Sequence, residues 1–306
     1  MMKRPVFIFL CMLCTSLQAE NSLTFGTDTI HSLYFPIGGI LCQIFSSDNG
    51  PSCQADITDG GDQNIEGIDS GLYDLAIIPE NIAYRRYIAQ KHTPFSDNLR
   101  AFFSLGDRSL LLVVPENSAI KSFDDLAGKK VGILAAGTPA SETLRELQKF
   151  IGWAPDTLEH VIYPSHREAM IDFCEGKVQA LAIMEGVDNP LMVLLTGACT
   201  FRILDLPKDL VKKLIDARSS LYPVTIPAHA YNNKEPLQTI GTKTIVVVSK
   251  GIDAETMKKL MKRLKKHFDY FKSIHITLKN LTFEQAVNRQ TGIPRHVGVL
   301  EALKGL

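Results

Sequence analysis

Short and almost uninterrupted apolar runs recur along this 306-residue chain: Leu72–Ile78 (broken by Asp74), Leu110–Val114, Val131–Leu134, Ala180–Met184 and Ile245–Val248. A strand with no polar side must be covered on both faces, as happens where helices pack on either side of a parallel sheet. Between the runs the apolar spacing turns helical. Leu144, Leu147 and Ile151 share one face, and Met257, Leu260, Met261, Leu264, Phe268 and Phe271 share another, in a helix expected from Asp253 to Lys272. Thr138 before Pro139, and Asp253 before Ala254 and Glu255, have the chemistry of helix starts. Strands alternating with helices predict an α/β fold of largely parallel sheets flanked by helices. The length points to two lobes, yet no Pro/Gly/Ser linker separates them, so crossing strands are expected to join them. Leu110–Val114 and Thr244–Val248 are the candidate crossings. The expected layout is a first part of lobe 1 over residues 20–108, lobe 2 over 109–240, and a return to lobe 1 with C-terminal helices over 241–306. Lys258, Lys259, Lys262, Arg263, Lys265 and Lys266 lie opposite the last apolar stripe and read as a solvated helix face.

Lys3 and Arg4 precede an apolar stretch from Val6 to Leu13, and small and polar residues follow up to Ala19. This is the layout of an export signal, residues 1–19, with cleavage expected after about Ala19 and the mature protein in the periplasm. Leu10 precedes Cys11 and Leu13 precedes Cys14, so the small residue that a lipid-anchored cysteine requires is missing. Cys42, Cys53, Cys174 and Cys199 remain after the signal, an even number that points to two disulfides. Four cysteines permit three pairings; the local one, Cys42 with Cys53 and Cys174 with Cys199, puts one bridge in each half. Their spacing fits no zinc site, and no metal or cofactor is expected. Lys plus Arg and Asp plus Glu both number 33, so no overall field attracts nucleic acid or an anionic membrane. No Gly-x-Ser-x-Gly, Walker or His-Glu-x-x-His pattern occurs, and no enzymatic activity is expected.

Several segments fall in a recognisable order. Phe25-Gly26-Thr27 is followed by Tyr34-Phe35-Pro36-Ile37-Gly38-Gly39 and Cys42, then by Thr58-Asp59-Gly60-Gly61 with Asn64, and by Ser70-Gly71-Leu72-Tyr73-Asp74-Leu75-Ala76. Next come Ser122-Phe123-Asp124-Asp125-Leu126-Ala127-Gly128-Lys129, Gly152-Trp153, Cys174-Glu175-Gly176-Lys177, Gly186 with Pro190, and Thr225-Ile226-Pro227-Ala228 with Tyr231. In this order they resemble the TAXI family of solute receptors that serve TRAP-type transporters. The resemblance implies a periplasmic-binding-protein-like fold, a small-molecule ligand such as an amino acid or organic acid, a membrane permease as partner, and the local disulfide pairing.

A receptor that closes on a small anion needs donors converging at strand-to-helix turns. One turn offers Thr27, Thr29, His31, Ser32 and Tyr34; a second offers Thr58, Gly60 and Asn64; a third, Gly137 and Thr138, opens a helix whose free amides suit a carboxylate. Asn81, Asp188 and Tyr231 complete the candidate ligand set through the resemblance. Asp28 and Asp59 stand where the family has glycine, and Pro79-Glu80-Asn81 replaces its Gln-Ser-Asp. Acids facing the cleft would oppose a dicarboxylate and favour a zwitterion or a polar neutral solute. Arg85, Arg86 and Arg108 are possible carboxylate partners, with surface placement the plainer expectation. The alternative function is a ligand-sensing or secreted effector protein of the same fold. Residues 277–306 fit the resemblance least; Leu281, Phe283, Ala286 and Val287 suggest one more amphipathic helix.

Overall fold

The computed structural model describes residues 22–30, 32–90, 98–134, 138–186, 190–218, 220–231 and 233–305. The first part of the chain forms β1 (Leu23–Gly26), α1 (Tyr34–Ser46), β2 (Cys53–Asp56), α2 (Gly61–Ser70), β3 (Leu75–Pro79), α3 (Glu80–Gln90) and the long β4 (Leu99–Pro115). The middle forms β5 (Lys130–Leu134), α4 (Pro139–Phe150), β6 (Glu159–Tyr163), α5 (His166–Cys174), β7 (Ala180–Glu185), α6 (Pro190–Ala198), β8 (Phe201–Ile203), α7 (Lys208–Ala217) and β9 (Tyr222–Ile226). Then β10 (Leu237–Ser249) leads into α8 (Ala254–Lys266), α9 (Phe268–Ser273), α10 (Phe283–Asn288) and α11 (Val297–Lys304).

Among the described residues the strands join in one sheet of order β2-β1-β3-β10-β4-β7-β5-β6, with β8 added to β4 and β9 to β10. Each lobe has a parallel kernel: β1 lies between β2 and β3, and β5 between β6 and β7. The crossing strands β4 and β10 run antiparallel to each other and to their neighbours β3 and β7. One strand serves both lobes: β4 pairs with β10 over Leu99–Ser109, then with β7 over Ser109–Val113. Both segments singled out as crossings from the sequence lie within these two strands.

Period-two alternation explains why the apolar runs are unbroken. In β10, Val246 and Val248 join the cluster around Phe25, Leu41, Phe103 and Met261, whereas Ile245 and Val247 join that around Ile65 and Ile78. In β4, Leu110, Leu112 and Val114 pack with Leu126 and Leu144, and Leu111 and Val113 with Phe173 and Ile183. The Tyr34-Phe35-Pro36-Ile37-Gly38-Gly39 segment opens α1. Pro36 falls in the first turn, where the backbone N–H has no partner in any case. A Cβ at Gly38 would lie 2.2 Å from Thr27 Cγ2, so glycine is what lets α1 lie against the end of β1.

Disulfides join Cys42 to Cys53 and Cys174 to Cys199. Two elements differ from expectation. The Leu72–Ile78 run starts as a turn: Leu72 is exposed, and the Asp74 carboxylate accepts from the Thr24 N–H at 2.9 Å, so the strand begins only at Leu75. The helix expected over Asp253–Lys272 breaks at His267, and the turn lets Phe268 and Phe271 reach the rings of Phe283 and Phe103. The Asp253 and Thr138 helix starts form as caps, accepting from Thr256 N–H and Ser141 N–H. The last stretch supplies α10, with a Thr282/Gln285 capping box. No helix among the described residues is long and apolar enough to cross a membrane, and the export signal lies outside them.

Candidate functional site

The C-terminal ends of the parallel strands of both lobes converge. Asn81 at the start of α3 donates from Nδ2 to Thr143 Oγ1 of α4 at 3.2 Å, and Arg85 of α3 donates to Glu142 of α4. A cavity of about 290 Å3 is bounded by the start of α1 (Leu33, Tyr34), the crossing segment Leu105–Arg108, the end of β7 (Glu185, Gly186) and the 277–289 stretch. Its floor is charged. The Arg108 guanidinium lies 3.8 Å from the Glu185 carboxylate, and the two side chains are only 12% and 10% exposed. Arg108 also stacks over the Tyr34 ring, 4.7 Å from its centroid, and the Tyr34 hydroxyl shares a 2.9 Å hydrogen bond with Thr244 of β10.

Burial pulls the Arg108 pKa down, but Glu185 foremost, with Tyr34 and Asp28, holds it above its ordinary value. Burial raises the Tyr34 pKa against the pull of Arg108. His166, at the start of α5, is pushed below the usual histidine range by burial, and Glu185 only partly offsets this. The cavity lining therefore holds the Arg108–Glu185 pair and a neutral Tyr34 phenol, whereas His166 lines a separate small pocket with Leu134, Met170 and Ile183. At the rim Arg289 pairs with Asp107. Two cations, Arg108 and Arg289, thus face two carboxylates, Asp107 and Glu185, and the lining is charge-balanced.

The residues singled out from the sequence take different places. Tyr34 lines the cavity, and Asp28 next to it organises the first turn: its carboxylate accepts from Thr29 N–H and Ser32 Oγ, both at 2.8 Å. Thr29 is exposed and Ser32 half-buried. Thr27 is buried, and its hydroxyl donates to the Asp56 carbonyl, tying β1 to β2. Thr58 is buried and accepts from Gly60 N–H at 3.2 Å; Gly60 has φ 98°, a conformation that favours glycine. Asn64 is fully buried and donates to the carbonyls of Thr27 and Ile77, at 2.7 and 2.8 Å. Asn64 thus clamps the ends of β1 and β3 rather than lining the cavity. Thr138 is half-buried as the cap of α4. Tyr231 packs in the second lobe's core with Ile183 and Met192, away from the cavity lining. His31, Gly137 and Asp188 lie outside the described residues.

Arg85 is half exposed, and Arg86 pairs with Asp69 at 3.1 Å, whereas Arg108 is buried at the cavity, against the surface placement expected for it. Glu185 was not among the candidates. The signal was present: Gly106-Asp107-Arg108 interrupts a strand that is apolar on either side, and Glu185 ends the Ala180–Met184 run. Glu80 is fully buried too; it accepts from Gly292 N–H at 2.5 Å and lies 3.6 Å from Lys243, so it anchors the C-terminal stretch to α3. Burial raises its pKa, with Lys243 opposing.

The chain matches the NMT1-like family over residues 25–304. It belongs to that family. Among solved structures this NMT1-like chain is similar to XAC2383 from Xanthomonas citri, bound to chloride ion, at 10% identity and TM-score 0.55, covering 93% of this chain and 99% of that one. It is also similar to the substrate binding protein of an amino acid ABC transporter, at 14% identity and TM-score 0.51, covering 86% and 100%. A third likeness is to the GluR0 ligand-binding core from Nostoc punctiforme in complex with L-glutamate, at 16% identity and TM-score 0.50, covering 81% and 95%. These likenesses establish the periplasmic-binding-protein-like fold of this NMT1-like chain.

Proposed function

We propose that this NMT1-like protein is an extracytoplasmic receptor without enzymatic activity. It captures a small organic acid or amino acid between its lobes and delivers it to a TRAP-type permease as a TAXI-type receptor. Residues 1–19 are removed on export to the periplasm; residues 20–108 and 241–306 make the first lobe and 109–240 the second. The observation that carries this reading is the charge-balanced cavity of about 290 Å3, whose walls come from α1, the crossing strand β4 and the end of β7. A solute held there touches both lobes and the strand between them, so binding favours the arrangement in which they meet. The order of the Tyr-Phe-Pro-x-Gly-Gly and Thr-Ile-Pro-Ala-x-x-Tyr segments supports the TRAP assignment.

Native mass spectrometry of the exported protein, followed by a thermal-shift screen of organic acids and amino acids, tests the proposal. A solute that binds only the folded state stabilises it by about 2.7 kcal/mol at a hundred times its Kd. A co-purified small molecule or a dose-dependent shift is the expected result, together with loss of uptake of that solute on deletion of the gene. No bound species and no shift across the panel would refute it. Uptake surviving deletion of the gene would remove the transport role and leave only binding.

A further inference from the structure

Resting on that receptor reading, we infer that the solute is a zwitterion with the charge spacing of an α-amino acid, its carboxylate on Arg108 and its ammonium on Glu185. The two protein groups face the cavity side by side, 3.8 Å apart at their nearest atoms, beyond direct hydrogen-bond distance. The ammonium nitrogen and carboxylate oxygens of an α-amino acid are separated by about 3 Å through the bonds N–Cα, Cα–C and C–O. Such a ligand lies over the pair head to tail, each of its charges opposite a protein charge of the other sign. Both protein charges are nearly desolvated, so the pairing is stronger than at an exposed surface.

Other ligand classes fit less well. An α-amino acid brings an ammonium to Glu185 as its carboxylate takes Arg108, but a dicarboxylate brings no cation to compensate Glu185 or Asp107, the carboxylates already paired with the two arginines among the described lining residues, Arg108 and Arg289. Its second carboxylate would face Glu185, with the charge of Asp28 also acting on Arg108 from the first lobe. A simple amine satisfies Glu185 but leaves Arg108 no better solvated than before. The neutral Tyr34 wall adds no net charge to alter this balance.

Isothermal titration of the exported protein with the neutral L-amino acids, their N-acetyl derivatives, the corresponding primary amines, and succinate and glutarate reads the ligand class directly. At least one neutral L-amino acid is expected to bind, with N-acetylation or loss of the carboxylate weakening it by at least about tenfold, the loss of one charge-assisted hydrogen bond. Glu185→Gln keeps the side-chain shape; it is expected to weaken the amino acid by a similar factor while the N-acetyl acid binds at least as well as to the unmodified protein. If Glu185→Gln does not fold, the panel on the unmodified protein decides alone. Succinate, glutarate or an N-acetyl acid binding most tightly would overturn the zwitterion assignment and leave the receptor reading standing. Binding of none of these compounds, nor of any other organic acid, would overturn both.

Discussion

Arg85 is the side chain whose removal most directly tests whether the lobes are held together by their own contacts. It sits on α3 of the first lobe, holds Asp62 of α2 at 3.1 Å, and reaches Glu142 on α4 of the second lobe. Its side chain is 43% exposed, so water screens these pairs. Glu142 is not orphaned when Arg85 is removed, because Arg145 remains 3.3 Å away and the carboxylate lies in the first turn of α4. The cost of Arg85→Ala is therefore that of an exposed ion pair, about 0.5–1 kcal/mol, and not the 3–5 kcal/mol of stranding a buried charge. If the contact forms only when the lobes meet, that energy is lost from the solute-binding arrangement and the affinity falls by roughly twofold to fivefold. Titration calorimetry in about 50 mM and about 1 M salt, where the screening length drops to about 3 Å, is the assay. The weaker binding should be present at low salt and absent at high salt, with a fall in Tm of no more than about 2–4 °C. Equal affinity of both proteins at low salt, or a deficit that salt does not remove, would refute the idea that this pair helps hold the lobes closed.

Three further outcomes follow from the framework. Replacing Cys174 and Cys199, 25 residues apart, by serine should lower stability in urea by about 3.5 kcal/mol, and replacing Cys42 and Cys53, 11 apart, by about 2.8 kcal/mol; equal losses would contradict the loop-entropy account. Asn64→Leu leaves the Thr27 and Ile77 carbonyls buried without their donor and should cost about 2–4 kcal/mol, and Asn64→Asp should cost more because a carboxylate has no proton to give them; unfolding midpoints close to the unmodified protein would rule the clamp out. Burial holds the His296 pKa low, and its Nδ1 accepts from Gly298 N–H at 3.1 Å, so it is neutral when folded, as burial also favours for His160 and His166. The unfolded chain then binds more protons, so stability falls as pH drops below about 6.5, and His296→Asn, which can still cap α11, should flatten the slope between pH 7 and 5 in urea titrations; an unchanged slope would refute it.

The apolar runs made the sheet legible, because successive residues such as Val246 and Val247, or Leu111 and Leu112, point to opposite faces and each face has its own apolar cluster. Caps were legible for the same local reason: Thr138 and Asp253 satisfy their own helix starts. The polar site was not legible in this way. Asn64 and Tyr34 look alike as candidate ligand groups, and only the packing of β1 against β3 turns one into a clamp and leaves the other at the cavity. Tyr231 shows the opposite limit, since a conspicuous motif position proves to be a core residue of the second lobe. Residue type alone predicts surface placement for Arg108. Its burial depends on Glu185, 77 positions later in the chain, and no local pattern reports such a pairing.

The position of Arg108 also bears on how binding would be felt by the fold. It lies two residues from Gly106, which has φ 132° and faces Thr244 in β10, and the register of β4 against β10 shifts between Thr244 and Ile245. A glycine outside the ordinary strand conformation beside a register irregularity is where a long strand bends at least cost. Tyr34 bonds to Thr244 at this same point, so first lobe, crossing strands and charged pair meet within one small volume. A solute can shift a conformational equilibrium only by as much as it prefers one state. A ligand that touched one lobe alone would have no such preference. One that bridges Arg108 on the crossing strand and Glu185 on the second lobe, against Tyr34 of the first, loses a contact whenever the strands bend open. The placement of the charges, more than their strength, is therefore what would convert binding into closure.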